Sequence, residues 1–336
     1  MEAENSRILV GIDEAGLGPL LGPLVIGCSV MRLPADFSGT AVEAAWQLWT
    51  LLKRGISDDP KQQGAKLVVC DSKKLHQSAK GVGRLEGSVL PLMCASAEPK
   101  LPANFEELWK RFSLAPLSAL DAYPWYQSRS LTLPHQASSA KCGIRAQQAE
   151  RTFSEVGAKL LSVRVFPVLA GELNRLLGIH RNKSDAHIAS IAGLLKGIWA
   201  KYPKVEVLCD RLGGKQRYAP ALEVMLEPAK VQVIREEPEQ SSYRLTRTNA
   251  KGETESMTLS FLVSGDNKAF PIALASMAAK YSRELCMELF NAWFIERMPD
   301  LKPTKGYYQD AGRFLRDTEK LRESLRVPVE LLIRKK

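Results

Sequence analysis

The sequence predicts a layered α/β domain in which strands and helices alternate along the chain. Short apolar runs rich in β-branched residues recur, and in the second half of the chain they alternate with amphipathic, helix-like patterns. The composition agrees with this prediction, because 45% of the 336 residues are hydrophobic and 25% are charged, which is ordinary for a globular protein. Such a composition excludes a disordered, collagenous or coiled-coil chain.

The N-terminal half predicts a pair of strands followed by a less regular region. Two apolar runs, residues 7–12 and 24–31, are joined by a turn rich in Gly and Pro, as is typical of paired strands. Residues 66–70 form a further short strand candidate. Residues 76–142 are rich in Pro, Ser and Trp, and we interpret them as an irregular insertion with one helix over residues 105–112.

Regular alternation of helices and strands begins after this insertion. A proline at position 271 favours a helix start there, since proline suits the first turn of a helix. The predicted elements are a helix over 145–161, a strand over 161–168, a helix over 184–200, a strand over 205–209, a strand over 230–234, a polar loop or hairpin over 235–257 and a long helix over 271–290.

The charge of the chain favours a polyanionic partner. The net charge is +10, and the last 36 residues carry ten Lys and Arg against five Asp and Glu. Basic segments of this kind often bind nucleic acid, although a solvated helix face has the same composition. The charge alone leaves both interpretations open.

Cysteine usage and the start of the chain indicate the compartment. The six cysteines are widely spread without a C-x-x-C pair, which excludes a disulfide scaffold or a zinc ribbon. The start, Met-Glu-Ala-Glu-Asn, is acidic where a signal peptide is basic, and the longest uncharged run, residues 15–31, is too short for a membrane span. We therefore expect a cytoplasmic, soluble protein with no membrane partner, and a monomer.

Four acidic residues stand directly after apolar runs: Asp13, Glu14, Asp210 and Asp266. In α/β sheets, catalytic groups collect at strand ends. Clustered carboxylates repel one another unless a divalent cation neutralises them, and hard oxygen ligands suit Mg²⁺ or Mn²⁺. Two such ions activate water and stabilise the leaving oxygen in phosphodiester hydrolysis. For each acid taken alone, a turn or a helix cap is the simpler interpretation, so the case depends on the sequence around the acids.

The sequence around these acids resembles the type 2 ribonuclease H (RNase HII) family. Gly11-Ile-Asp-Glu-Ala-Gly-Leu-Gly-Pro19 is similar to the family motif Asp-Glu-Ala-Gly-Arg-Gly-Pro at the end of the first strand. Further blocks follow in the family's order: Asp71-Ser-Lys-Lys-Leu75, Val207-Leu-Cys-Asp210, Gly265-Asp-Asn-Lys268, Ala275-Ser-Met-Ala-Ala-Lys280 and Thr304-Lys-Gly-Tyr307. The resemblance follows the whole chain in order but covers only its core.

The resemblance implies a fold and a division of the chain. The fold is a ribonuclease H-like mixed β-sheet flanked by helices, with a helical C-terminal extension. The implied division is a catalytic domain over residues 1–300, with insertions at about 33–66, 76–142 and 213–262, and a basic helical extension over residues 301–336 packed on it.

The resemblance also implies an activity and its residues. The activity is endonucleolytic hydrolysis of the RNA strand of RNA–DNA hybrids, or of ribonucleotide-containing DNA, to 3′-hydroxyl and 5′-phosphate ends. The four acids would be catalytic and would hold Mg²⁺ or Mn²⁺, with two metal ions expected. Lysines are suited to phosphate contacts, and the family's late tyrosine packs on a nucleotide sugar. The implied substrate-binding residues are Gly16, Leu17, Gly18, Ser72, Lys73, Lys74, Lys268, Lys280 and Tyr307.

Leu17 stands where the family has arginine, which departs from the motif. Two alternatives remain open: a nucleic-acid-binding paralogue with lost or altered activity, and a nuclease for another structured nucleic acid. A dinucleotide-binding loop at residues 16–22 is excluded, because Pro19 and Pro23 break the helix that such a loop requires. We interpret His187 as a structural residue.

Overall fold

A seven-stranded mixed β-sheet forms the centre of the computed structural model, which describes residues 6–34, 37–76, 81–180 and 183–335. The strands are, in chain order, β1 (Arg7–Ala15), β2 (Leu24–Leu33), β3 (Ile56–Ser57), β4 (Leu67–Val68), β5 (Lys159–Val168), β6 (Lys204–Asp210), β7 (Lys230–Glu236), β8 (Gln240–Thr248) and β9 (Thr254–Leu262). The order across the sheet is β5-β2-β1-β6-β9-β8-β7, while the short strands β3 and β4 pair separately.

Parallel pairing in the middle of the sheet brings three strand ends to one edge. Strand β1 runs parallel to β6, with Ile12 opposite Cys209, and β6 runs parallel to β9, with Asp210 opposite Leu262. The outer pairs, β1 with β2, β2 with β5, β9 with β8 and β8 with β7, are antiparallel. The predicted mixed sheet is therefore confirmed.

Helices cover both faces of the sheet, as predicted. Alternate residues of the strands point to two apolar cores, so that Leu9 belongs to one core and Val10 to the other. The helices are α1 (Ala41–Leu51), α2 (Ser72–Leu75), α3 (Gly83–Ala95), α4 (Phe105–Phe112), α5 (Ser139–Ser154), α6 (Ala170–Ile179), α7 (Lys183–Lys201), α8 (Ala219–Met225), α9 (Phe270–Arg297), α10 (Tyr308–Asp317), α11 (Glu319–Ser324) and α12 (Val329–Leu332).

The long helix α9 packs directly on strands β1 and β2 through two glycines. A Cβ added to Gly11 would lie 2.1 Å from the carbonyl carbon of Pro271, and one added to Gly27 would lie 2.0 Å from the carbonyl oxygen of Ala275. Any larger residue at these two positions would push the helix away from the sheet. This close contact fixes the N-terminal half of α9 beside the end of β1.

Residues 76–142 are more regular than the sequence prediction. The predicted helix over 105–112 is present as α4, but helix α3 and the start of α5 also lie in this region. Helix α3 contains Pro91 and is buried along most of its length. Its Glu86 carboxylate accepts hydrogen bonds from the backbone N–H groups of residues 135–137, each 2.7 Å long. The expectation of irregular structure is therefore wrong for much of this segment, whereas its status as an insertion stays a prediction.

Other element boundaries differ in smaller ways. The strand predicted over 66–70 is only the two-residue β4, the helix predicted over 145–161 ends at Ser154, and the long helix extends to Arg297. The region 235–257 is a hairpin rather than a loop, because β8 pairs antiparallel with both β7 and β9.

The C-terminal segment is helical and contacts the N-terminal part of the chain. After α10, α11 and α12, Ile333 forms an antiparallel bridge with Leu21. Within the described ranges, no helix is long and apolar enough to cross a membrane. Residues 1–5, 35–36, 77–80, 181–182 and 336, which include the acidic start and parts of the predicted insertions and extension, lie outside the described residues.

Candidate active site

The four predicted acids meet at the edge where the parallel strands end. Asp13 and Glu14 lie near the end of β1, Asp210 is the last residue of β6, and Asp266 lies in a single 3-10 turn after β9. The charges of Glu14 and Asp210 act on Asp13, and the charge of Asp266 acts on Asp210. The side chain of Asp13 is buried, with 7% of the residue exposed.

Burial and the repulsion of neighbouring carboxylates raise the pKa values of all four carboxyl groups. Burial is the main cause for each of them, because desolvation disfavours the charged form. The neighbouring charge of Asp210 further raises the pKa of Asp13 and that of Glu14. A hydrogen bond of 2.6 Å from the Gly265 N–H to Oδ1 of Asp210 partly opposes the rise there. Full ionisation of this cluster therefore requires a compensating positive charge.

Lys73 supplies part of that positive charge. Its ammonium group lowers the pKa values of Glu14, Asp210 and Asp266 against the effect of burial. The short helix α2 presents it, and Asp71 caps this helix by accepting a hydrogen bond of 2.9 Å from the Lys73 N–H. The segment predicted to bind substrate thus lies close enough for its charge to act on three of the acids.

Ser72, also predicted to bind substrate, is buried below this surface. Its hydroxyl lies 3.3 Å from the hydroxyl of Ser276 on α9, and Ser276 in turn hydrogen-bonds to the Asp13 carboxylate. A second bond of 2.7 Å, from the Glu14 N–H to Oδ1 of Asp13, holds the same carboxylate. Ser72 is therefore linked to the Asp13 carboxylate through Ser276, and its side chain is buried.

The donor set suits a hard divalent cation that keeps part of its water shell. Among the described residues, no three His, Cys, Asp or Glu side chains converge closely enough to hold a metal ion by themselves. Mg²⁺ does not require such a cage, because it is usually bound through one or two carboxylates, water and substrate phosphates. Clustered carboxylates of raised pKa are consistent with this mode of binding.

Three of the predicted phosphate-contacting lysines, Lys74, Lys268 and Lys280, have different partners for their ammonium groups. The ammonium of Lys74 donates to Oδ1 of Asn267 at 2.8 Å, so its partner is neutral. Lys268 donates to the exposed carboxylate of Glu239 at 3.1 Å. Lys280 lies 2.6 Å from Oε1 of Glu284, and both groups are largely buried. Among these three, Lys74 therefore has the charge that is most available to a phosphate.

The Glu284 carboxylate is held in its charged form. Burial alone would raise its pKa, but a hydrogen bond from His76 and the charge of Lys280 outweigh burial and lower the pKa to about 2. Arg283 lies 3.6 Å from the same carboxylate. Glu284 thus offsets the positive charges of Lys280 and Arg283.

The Gly16–Gly18 turn and Tyr307 lie near one another around the buried Arg283. Gly16 has φ +87°, and a Cβ on it would lie 2.3 Å from Nε of Arg283. Leu17 is half-buried against an apolar cluster, whereas Gly18 is exposed with open space beside it. The ring of Tyr307 is half-exposed, and the guanidinium carbon of Arg283 lies 6.0 Å from its centroid. The Tyr307 side chain is therefore partly accessible to solvent.

Sequence analysis missed the placement of His187 and Asp71. His187 is buried on α7 with its Nε2 3.7 Å from Oε2 of Glu14, and burial lowers its pKa to about 4. The Asp71 charge raises the pKa of Asp266. Asp71 opens the Asp71-Ser-Lys-Lys-Leu75 motif, whereas no pattern in the sequence marks His187, because about half of the chain separates it from Glu14.

Comparisons with known proteins find similarity only among solved structures. No protein-family model matches the chain, and no curated protein is similar to it in sequence. The solved structures to which the chain is similar include ribonucleases H of low sequence identity. RNase HII of Archaeoglobus fulgidus, solved with PCNA, is 16% identical over 98% of this chain and 94% of that chain, with a TM-score of 0.41. Ribonuclease H2 of Pyrococcus horikoshii is 14% identical over 97% and 92%, with a TM-score of 0.38. Bst-RNase HIII with Mn²⁺ is 13% identical over 97% and 66%, with a TM-score of 0.42.

Proposed function

We propose that the chain is a divalent-metal-dependent endoribonuclease that hydrolyses the RNA strand of RNA–DNA hybrids. The observation that carries this proposal is the convergence of Asp13, Glu14, Asp210 and Asp266 at one sheet edge, with raised pKa values and Lys73 beside them. Buried acids that repel one another destabilise the fold, so their presence together calls for a functional reason. The sequence motifs around these four acids indicate that the substrate is an RNA–DNA hybrid.

The four acids would hold Mg²⁺ or Mn²⁺, which when bound lower the pKa of a water molecule and stabilise negative charge on the phosphate oxygens. Ser276 and the Glu14 N–H orient Asp13, and the Gly265 N–H orients Asp210. In the reaction, the oxygen of water bonds to phosphorus, the bond between phosphorus and the 3′ oxygen breaks, and that oxygen takes up a proton. The products are a 3′-hydroxyl and a 5′-phosphate.

The surroundings of the acids support a nucleic-acid substrate. The Lys74 ammonium donates to a neutral amide, the charge of Lys73 acts on Glu14, and Tyr307 is half-exposed. Phosphate contacts of this kind supply most of the affinity for nucleic acid. The space beside Gly18 is open, since a Cβ on this residue would meet no atom within 4 Å. A sugar–phosphate backbone can therefore approach the Gly16–Gly18 turn there.

We also propose that residues 1–300 form the catalytic domain and that residues 301–336 are a basic extension packed on it. The bridge between Leu21 and Ile333 supports packing of the extension on the N-terminal part. We further propose a monomer in the cytoplasm. The six cysteines, which are free and buried, support the compartment alone, because free thiols are typical of a reducing environment.

A substrate panel tests the proposed function. The protein is incubated with Mg²⁺, Mn²⁺ or EDTA and with end-labelled RNA–DNA hybrid, duplex DNA and duplex RNA. We expect cleavage of the RNA strand of the hybrid with either cation and none in EDTA, with 3′ ends that a polymerase extends. Hybrid binding without cleavage under all conditions would support the paralogue that has lost its activity. Preferred cleavage of duplex DNA would support the nuclease for another nucleic acid.

Because Leu17 replaces the arginine of the family motif, we expect the protein to cleave runs of ribonucleotides in preference to a single embedded ribonucleotide. Leucine lacks the guanidinium that the family motif places in this turn, and an apolar side chain cannot replace its fork of donors. We expect Leu17→Arg to raise single-ribonucleotide cleavage by about ten-fold relative to cleavage of a continuous hybrid, because each hydrogen bond to a charged group is worth about 1.5–3 kcal/mol. The measurement is the ratio of kcat/KM for the two substrates. Equal activity of the unmodified protein on both, with no change in the variant, would contradict the prediction.

A further inference from the structure

Arg334 binds the Gly16–Gly18 turn from the other end of the chain. Its guanidinium donates two hydrogen bonds, one of 2.6 Å from Nη1 to the carbonyl oxygen of Gly16 and one of 2.8 Å from Nη2 to that of Leu17. The family motif has an arginine within this turn, whereas here leucine occupies that place and a guanidinium arrives from residue 334. The side chain is buried, with 2% of the residue exposed.

The backbone around Arg334 fixes its position relative to the turn. The Arg334 N–H donates to the carbonyl oxygen of Leu20 at 3.0 Å, next to the bridge between Leu21 and Ile333. On the other side, Asn174 of α6 donates to the Ile333 carbonyl at 2.8 Å and accepts from the Lys335 N–H at 2.6 Å. These contacts hold the Arg334 backbone, and with it the guanidinium, in one position relative to the Gly16–Gly18 turn.

These two hydrogen bonds determine where the turn directs its N–H groups. In a trans peptide, the C=O of one residue and the N–H of the next point in opposite directions. Because the carbonyls of Gly16 and Leu17 point to Arg334, the N–H groups of Leu17 and Gly18 point away from it. Gly18 is exposed with open space beside it, so the two donors face the side of the turn that a ligand can reach.

The charge of Arg334 has no carboxylate partner among the described residues. Burial, and then the nearby positive charge of Arg283, lower its pKa to about 10, and no acid opposes this effect. Its buried Nε has no hydrogen-bond partner. A buried guanidinium bonded only to carbonyls is costly, and it strengthens the attached peptides as donors toward an anion. Both features indicate that the Gly16–Gly18 turn next to Arg334 binds a negatively charged group.

We propose that Arg334 is a positioning residue, which sets the Gly16–Gly18 turn so that the N–H groups of Leu17 and Gly18 bind the sugar–phosphate backbone of a nucleic acid. This inference rests on the proposed function and deepens it. Arg334 contacts neither the acid cluster nor a reacting atom. Its role is to present the two donors and to add positive charge behind them.

The test compares Arg334→Met with Lys335→Met, which removes the same charge from the adjacent, exposed residue. Hybrid affinity is measured in EDTA, where no cleavage is expected, and KM and kcat are measured with Mg²⁺. We expect Arg334→Met to weaken affinity and raise KM about ten-fold with a much smaller change in kcat, because the donors bind substrate without taking part in bond breaking. Lys335→Met should stay within about two-fold of the unmodified protein.

Arg334→Lys keeps the proposal testable if the Met variant does not fold. Lysine retains the charge but lacks the planar fork that bonds both carbonyls, so we expect an intermediate loss of affinity with an unchanged melting temperature. Equal affinities of the folded Arg334 variants and Lys335→Met would overturn the inference while leaving the proposed function intact. Absence of hybrid binding by the unmodified protein would overturn both.

Discussion

Replacing Asp210 by Asn is expected to lower the rate of hybrid cleavage by about 10³-fold or more, because electrostatic and metal contributions dominate phosphodiester hydrolysis. Asparagine retains the size of the side chain and an oxygen that accepts the Gly265 N–H, so the local geometry persists. It removes one of the negative charges that the metal ions would bind. Asp13→Asn should have the same effect on the opposite side of the cluster.

The fold of these variants is expected to remain intact or to become more stable without metal. The pKa of Asp210 is raised by burial and by Asp266, so the charged form destabilises the folded protein above the ordinary pKa of an aspartate. The melting temperature in EDTA at pH 8 should therefore equal or exceed that of the unmodified protein. Asp300→Asn, at an exposed acid after α9, is the matched control and should cleave normally. Near-normal turnover of a folded Asp210 variant would show that the acid cluster is not the catalytic site.

The sheet could be predicted from the sequence because its strands carry local signals. The apolar runs before Asp13 and Asp210 alternate between two buried faces, and acids mark the point where each strand ends. Helix α3 lacks such a signal. Residues 85–94 of this helix are buried on all sides, so no polar face produces a helical period, and Pro91 favours a break. Its helical form depends on tertiary packing that a single sequence does not display.

The acid cluster could be predicted, but the groups that orient it could not. Asp13 and Asp210 stand in local motifs, and parallel pairing of β1 with β6 brings them together. The contacts of His187 with Glu14 and of Arg334 with Gly16 join residues that are distant in the chain, and neither has a period or spacing that marks it. Such contacts depend on the chain path between elements, which local residue patterns do not determine.

Hybrid affinity is expected to fall steeply as salt concentration rises, because each phosphate contact contributes about 0.9 to the slope of log K against log salt. With three or four contacts, a rise from 50 to 200 mM salt should weaken binding on the order of 100-fold. The Asp210→Asn variant allows this measurement without cleavage. A flat response would argue against a nucleic-acid substrate.

The structure further predicts which lysines determine this slope. Lys74 bonds to a neutral amide, so its charge is available to a phosphate, whereas the charge of Lys280 is already neutralised by Glu284. Lys74→Gln should therefore reduce the slope by about 1, and Lys280→Gln by less than half as much. Lys204→Gln is the matched control, because Lys204 is exposed at the opposite end of β6 from Asp210, and it should leave the slope unchanged. Equal reductions by all three variants would mean that the slope reflects net charge alone, and would contradict contact of a phosphate with Lys74.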